Sequence, residues 1–253
     1  MQSLFDLLGI LSAKEARVAI AELTPEHLRK MFIEAIDSDE RTAYRWSVWE
    51  CLHGELEYEN RTYVFEEGDF YCVEQKFIED LDTYVAGLPL SRLAFPVSPG
   101  DVQEADYNRT LSSELSGVLL DRHLVQSRTI STPVEVCDVV VQDSFQLIHV
   151  KRHLGSRDLS HLFAQGAVSA ELVTSNAEFR SLAGDKFDEM KVQGLNPFRS
   201  DLKPCVIFAI IAHWNGRSLA QALPFFSKVN LRRTITDLNH WGINCEIGMV
   251  AIE

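Results

Sequence analysis

Two neighbouring apolar stretches carry the residue types best suited to chemistry. Val134-Glu135-Val136-Cys137-Asp138 ends in a carboxylate, and Leu147-Ile148-His149-Val150-Lys151-Arg152 follows, with His149 eleven positions after Asp138. Both read as strands. Side chains alternate with period two along a strand, so His149 and Lys151 point to one face. A carboxylate, an imidazole and an ammonium on adjacent strands are the parts of a hydrolytic site, in which a cation or a base activates water and a positive charge meets the developing negative one. Glu135, three residues before Asp138, faces the other way in a regular strand, and a bulge would bring the two acids together. The plainer alternative is structural: Asp138 caps a turn or pairs with Arg152, and His149 packs in a core.

Other candidates flank these strands. Glu104, Tyr107 and Asn108 lie on an expected helix, with Tyr107 one turn from Glu104. Arg157, His161 and Gln165, spaced by four, form a polar stripe on the helix after the lysine strand. That stripe suits a phosphate backbone, and equally a solvated face. His149 and His153 are four apart, a metal spacing on a helix, but they fall on a strand that Gly155 soon ends. Ser156 and Ser160 beside His161 lack the G-x-S-x-G turn of a serine hydrolase. No P-loop, Rossmann glycine pattern or kinase signature is present.

These residues need a frame. A helix is expected over residues 13 to 36, with Thr24 as cap and Pro25 at its restart, then strand or helix over 43 to 53. Three short strands follow at Glu55–Glu59, Thr62–Glu66 and Asp69–Glu74, and a helix at Gln75–Ala86. Pro89 to Gly100 holds three prolines and reads as a connector between an N-terminal module, residues 1–100, and a second domain, residues 101–253. In the second domain we expect a helix over Asp101–Leu115, strands over Gly117–Val125, Pro133–Val141 and Phe145–Lys151, and a helix over Asp158–Leu172. A polar loop or short helix over Gly184–Ser200 leads to a buried strand, Pro204–His213, a helix, Lys228–Trp241, and a last strand, Asn244–Ile252.

Composition sets the class. The 253 residues are 46% apolar and 24% charged, an ordinary globular balance of fold class α/β (α+β) by element order. No apolar run approaches the roughly 18–20 residues that span a bilayer, and the N-terminus lacks the basic start of a secretory signal. A membrane is therefore not expected as a partner, and the expected location is the cytoplasm. The five cysteines are scattered without a CxxC pair, against a zinc or disulfide framework. The net charge of −13 is lopsided: residues 1–106 hold 22 acidic and 9 basic side chains, and the remainder holds 15 of each. The first part repels a phosphate backbone, and the second, with Lys151, Arg152 and Arg157 close together, permits one.

The order of elements together with Asp138 and His149-Val150-Lys151 resembles the PD-(D/E)XK phosphodiesterase superfamily over residues 101–253. The resemblance implies a restriction-endonuclease-like αβββαβ core with an N-terminal α+β module. It places an acid on the second core strand, at Asp138, and the (D/E)xK on the third, where His149 stands at the position of the usual Glu or Asp. A further acid comes from the first core helix, at Glu104. The implied cofactor is Mg2+ or Mn2+, held by Asp138, Glu104 and the carbonyl of Val150, with Lys151 orienting the water or neutralising the phosphate. His149 would then favour a softer ion such as Mn2+, or serve as a base. Arg152, Arg157, His161, Gln165, Tyr107 and Asn108 would contact substrate.

The chain also looks like a sporadically distributed bacterial family of unknown function considered in connection with phage defence. Tyr107-Asn108, Leu120-Asp121-Arg122, Glu135 to Asp138, His149 to Arg152, Ser160 to Gly166 and Leu223 to Lys228 carry that likeness. The expected function is metal-dependent nucleic-acid cleavage in bacterial defence, with a two-fold homodimer as one way to pair sites. The rival is an inactive nuclease-fold module that binds nucleic acid or a protein. A third reading gives the acidic N-terminal module a protein partner.

Overall fold

A computed structural model describes residues 24–36, 41–153, 155–190, 194–199 and 201–253. The chain divides into two compact units, Met1–Ile78 and Glu79–Glu253.

In the first unit, Thr24 caps α1 (Pro25–Lys30): its hydroxyl accepts from the His27 N–H, and proline fills the first helical position. The helix expected to run on to residue 36 stops at Lys30, and Phe32–Ile36 is strand β1, paired antiparallel with β2 (Thr42–Ser47). Ile33 sits opposite Trp46 and Ala35 opposite Tyr44, and such aromatic–aliphatic pairs favour the pleated form. Residues 13–23 of that expectation lie outside the described residues. The meander is present as β3 (Gly54–Tyr58), β4 (Arg61–Glu66) and β5 (Asp69–Cys72). Its two turns hold Glu59 and Asn60, then Glu67 and Gly68, all at positive φ, the form whose twist matches paired strands. The helix expected at Gln75–Ala86 is α2, with the same bounds.

The second unit is built on a five-stranded sheet. Its strands are β6 (Val118–Leu119), β9 (Val139–Val141), β10 (Gln146–Arg152), β11 (Cys205–Ala212) and β12 (Asn244–Ala251), in the order β12-β11-β10-β9-β6. Strand β9 is antiparallel to both β6 and β10, whereas β10, β11 and β12 run parallel. Two strands expected to be continuous are each broken. Residues 117–125 form β6 and β7 (Leu124–Val125) around a turn, and residues 133–141 form β8 (Val134–Glu135) and β9 around an irregular segment, with β7 pairing β8.

Helices cover both faces. Helix α3 (Glu104–Glu114) packs Tyr107 and Leu111 against Ile148, Val150, Ile207, Ala209 and Ile211. Against the other face lie α4 (Ser156–Ser175) and α7 (Phe225–His240), the core there including Leu159, Phe163, Phe208, Ile210, Leu231 and Leu238. Burial on both faces is why β11 reads as one apolar run. Between α4 and β11, the stretch expected as a polar loop or short helix holds a 3-10 turn at Pro197–Arg199 and begins within helix α5 (Ala177–Glu189). Asn176 caps it, and Phe179, Ala183 and Phe187 recur at i+4 as its buried stripe. A short α6 (Leu219–Ala222) precedes α7.

The proline-rich stretch belongs to this second unit. Pro89 and Ser91 exchange hydrogen bonds with Ile247, and Ser98 with Ala251 and Glu253, so the free edge of β12 takes up its backbone. The division between units thus falls earlier than the prolines suggest. Among the described residues no helix is long and apolar enough to cross a membrane.

Helix α4 crosses the sheet closely at Gly166, where a Cβ would stand 2.5 Å from the Phe208 ring and 3.1 Å from that of His149. Neither buried ring has room to yield. Gly166→Ala should therefore cost about 1–3 kcal/mol of stability through overpacking, seen as a lower urea midpoint for the full chain. An unchanged midpoint would mean that α4 and the sheet separate freely at this point.

Candidate functional site

Strand β9 stops short. It pairs with β10 from Val141 to Val139, and one further bond runs from the Asp138 N–H to the Ile148 carbonyl at 3.0 Å. Beyond that point β10 continues to Arg152, paired only on its β11 side. Its N–H groups at Val150 and Arg152 would be left in a partly buried place, at a cost comparable to a lost hydrogen bond. Carboxylates take the place of the missing strand. Asp138 Oδ2 accepts from the Val150 N–H at 2.7 Å, and Glu104 Oε2 from the Arg152 N–H at 3.2 Å.

Asp138 is buried, and its second oxygen, Oδ1, accepts from Asn108 Nδ2 at 3.0 Å. Burial pushes its carboxyl up from 3.8 to about 8, opposed by the Val150 N–H and reinforced by the charges of Glu135, Asp121 and Glu104. Asp121, Glu135 and Asp138 bring one oxygen each to within 4.8 Å of one another. Glu135 joins because residues 136–138 leave the strand conformation, which removes the alternation that would have turned it away. The Ser169 hydroxyl, on α4, donates to the Val136 carbonyl and holds this irregular segment in place.

Asp121 comes from the turn Leu120–His123. The Leu120 N–H donates to the Asp138 carbonyl at 2.8 Å, and the His123 N–H closes the turn on Leu120 at 3.0 Å. At its tip Arg122 takes a left-handed φ of 63°, and its N–H donates to Glu135 Oε1. Gln165 Nε2, from α4, donates to Glu135 Oε2 at 2.6 Å. The Arg122 side chain is exposed, and no acidic side chain pairs with it among the described residues.

The expected residues divide accordingly. Asp138, Asn108 and Gln165 meet the acidic cluster. Glu104 instead pairs with Lys151 Nζ at 2.9 Å, both side chains about one-third exposed. Val150 contributes a donor, its N–H, where the sequence reading used its carbonyl oxygen. The Arg152 guanidinium is bound to Ser98 Oγ and the carbonyls of Pro99, Gly100 and Val102 at 3.0–3.4 Å, so it fastens the approach to α3 rather than facing a substrate. Tyr107 is likewise internal: its hydroxyl donates to the Pro96 carbonyl at 3.0 Å, and burial raises its pKa. Arg157 and His161 are exposed on the first turns of α4. Asp121 and Arg122 received no role from sequence, although an acid–base pair interrupting the apolar strand expected over Gly117–Val125 signals a turn there.

His149 lies in the core. Its ring is fully buried against Phe208 and under Gly166, and neither ring nitrogen has a partner. The all-oxygen set of Asp121, Glu135 and Asp138 suits a hard divalent cation without it.

Burial pushes His149 from 6.5 down to about 3. Its neutral form belongs to the folded state, so stability is complete above pH 6.5 and lost as pH falls from there towards 3, at about 1.4 kcal/mol per unit. Asp138, raised from 3.8 to about 8, works the other way: its contribution is complete below 3.8 and lost as pH rises through 8. Comparing variants separates the two. Between pH 7 and pH 5, His149→Leu should lose about 2 kcal/mol less stability than wild type in urea unfolding. Equal losses would show that the His149 ring reaches solvent.

No curated protein and no solved structure matches this chain. A family model does match, over residues 2–251, and its description is a family of unknown function, DUF6119. The chain belongs to that family.

Proposed function

We propose that this protein is a divalent-metal-dependent nuclease whose second unit has a restriction-endonuclease-like αβββαβ core. The observation that carries the reading is the gathering of Asp121, Glu135 and Asp138 within 4.8 Å, where β9 leaves β10. The element order supports it: α3, then β6, β9 and β10 antiparallel in turn, then α4, then β11 parallel to β10. The acid usual at position 149 is replaced in function by Asp121, from the turn after β6, and Glu135, at the end of β8.

Asp121, Glu135 and Asp138 would hold Mg2+ or Mn2+, which supplies positive charge against the phosphate and lowers the pKa of bound water. The protein's own groups do the rest. Lys151, held by Glu104 and one-third exposed, exchanges that carboxylate for a phosphate oxygen as substrate arrives. Arg122, exposed beside the cluster, gives a second contact suited to phosphate geometry. Gln165 and the Arg122 N–H keep Glu135 aimed at the cluster. Arg157 and His161 extend the polar track along α4 for a nucleic-acid strand. Defence against phage is the biological setting that the likeness to a sporadic bacterial family suggests.

The burial of His149 where an acid is usual favours one other reading, an inactive nuclease-fold module that only binds. One assay separates them: plasmid, linear DNA and RNA with Mg2+ or Mn2+, using wild type, Asp138→Asn and Lys151→Ala. We expect cleavage that EDTA abolishes and that falls about 100-fold or more in either variant. Nucleic acid bound but uncut by wild type in both metals, and bound more weakly by Lys151→Ala, would establish the binding module instead.

A further inference from the structure

Asn108 is fully buried on α3 and touches the acidic cluster through Asp138. Its amide orientation follows from chemistry. With a cation bound Asp138 is ionised and only accepts, so the amide nitrogen then faces Asp138 Oδ1 and the amide oxygen is left over. That oxygen, Oδ1, is buried and has no hydrogen-bond partner. Such an acceptor is costly unless something the protein does not itself supply completes it.

Position narrows what completes it. Asn108 lies one helical turn from Glu104, so one face of α3 serves both the Asp138 carboxylate and the Glu104–Lys151 pair. Two donors, the Val150 N–H and the Asn108 amide, occupy one site on each oxygen of Asp138 and fix the plane of the carboxylate. The remaining lone pairs are thereby directed, and the spare amide oxygen adds a neutral acceptor next to them.

We infer that Asn108 is a positioning residue of the cation site, an inference resting on the metal-dependent reading above. Its N–H fixes Asp138, and its Oδ1 accepts a hydrogen bond from a water that the divalent cation would hold. The direct ligands are then the three carboxylates and water, with the amide oxygen outside them as a hydrogen-bond acceptor, an arrangement that suits a hard, hydrated cation.

Mn2+ titration followed by electron paramagnetic resonance tests this on the full chain, with melting temperatures in EDTA and in Mn2+. Asn108→Ala should bind Mn2+ about 10- to 100-fold more weakly, and should melt lower in EDTA because Asp138 Oδ1 loses its buried donor. Asn108→Asp keeps the oxygen, loses the donor and adds a charge. It should melt lower in EDTA and recover in Mn2+ by more than wild type gains, a response that a merely structural asparagine would not produce. Unchanged Mn2+ affinity in Asn108→Ala overturns this inference and leaves the metal reading intact. If Asn108→Ala does not fold, an Asn108→Asp melting temperature that gains no more from Mn2+ than wild type does overturns it as well. Failure of wild type to bind Mn2+ removes both.

Discussion

The second unit depends on how β10 is satisfied after β9 leaves it. A strand in the middle of a sheet has donors and acceptors on both sides, and burial forbids leaving them open. Here the N–H groups of Val150 and Arg152 project into the gap, and the acceptors that meet them are the carboxylates of Asp138 and Glu104. The need for acceptors therefore draws two acids into a place that would otherwise exclude them. Once there, Asp138 is desolvated, and the neighbouring charges of Glu135, Asp121 and Glu104 make its ionised form harder still to keep. The backbone solution creates an electrostatic problem, which a proton on Asp138 relieves and which a bound cation would relieve as well.

Helix α3 is the other half of the same arrangement. Its first residue supplies Glu104 and its second turn supplies Asn108, so the helix must sit at a fixed height against the sheet. Arg152 sets that height. Four acceptors between Ser98 and Val102 occupy its guanidinium, which ties the approach to α3 to the end of β10. The proline-rich segment contributes too, since Ser98 is held by the edge of β12 while the Pro96 carbonyl receives the Tyr107 hydroxyl. Residues that looked like substrate contacts in the sequence are thus parts of a brace. Arg and Tyr suit that work because one offers a fork of five donors and the other an apolar body with a polar tip.

Much of the frame was legible because it rests on periodicity. Bounds for α2, β10, β11 and β12 follow within a residue or two from apolar spacing, and Asp138 and Lys151 were picked out by type and separation. What periodicity leaves open is where it breaks: the approach of Glu135 needs the bulge that the sequence allows, and that of Asp121 a turn that strand spacing does not show. The turn at Leu120–His123 and the irregular residues 136–138 bring Asp121 and Glu135 to Asp138, and in continuous strands neither would point there. His149 shows a different limit. Alternation groups it with Lys151, but a close crossing of α4 at Gly166 closes over it, and a helix-to-sheet distance is not written in strand spacing. Helix α5 begins earlier than the loop or short helix expected there, because its charged residues mask a buried face of Phe179, Ala183, Gly184 and Phe187.

The distribution of cations around the acids argues for an external charge. Lys151 is engaged with Glu104, and Arg152 with loop carbonyls and Ser98. Among the described residues no cationic side chain pairs with Asp121, Glu135 or Asp138. Neutral donors serve these acids instead: two backbone N–H groups and the amides of Asn108 and Gln165. A structural ion pair would have placed an arginine or lysine here and ended the matter. Neutral donors fix the oxygens without cancelling their charge, the condition under which a site retains affinity for a divalent ion. Protonation of Asp138 relieves the same charge, so under the proposed function a cation and a proton would contend for one carboxylate near neutral pH.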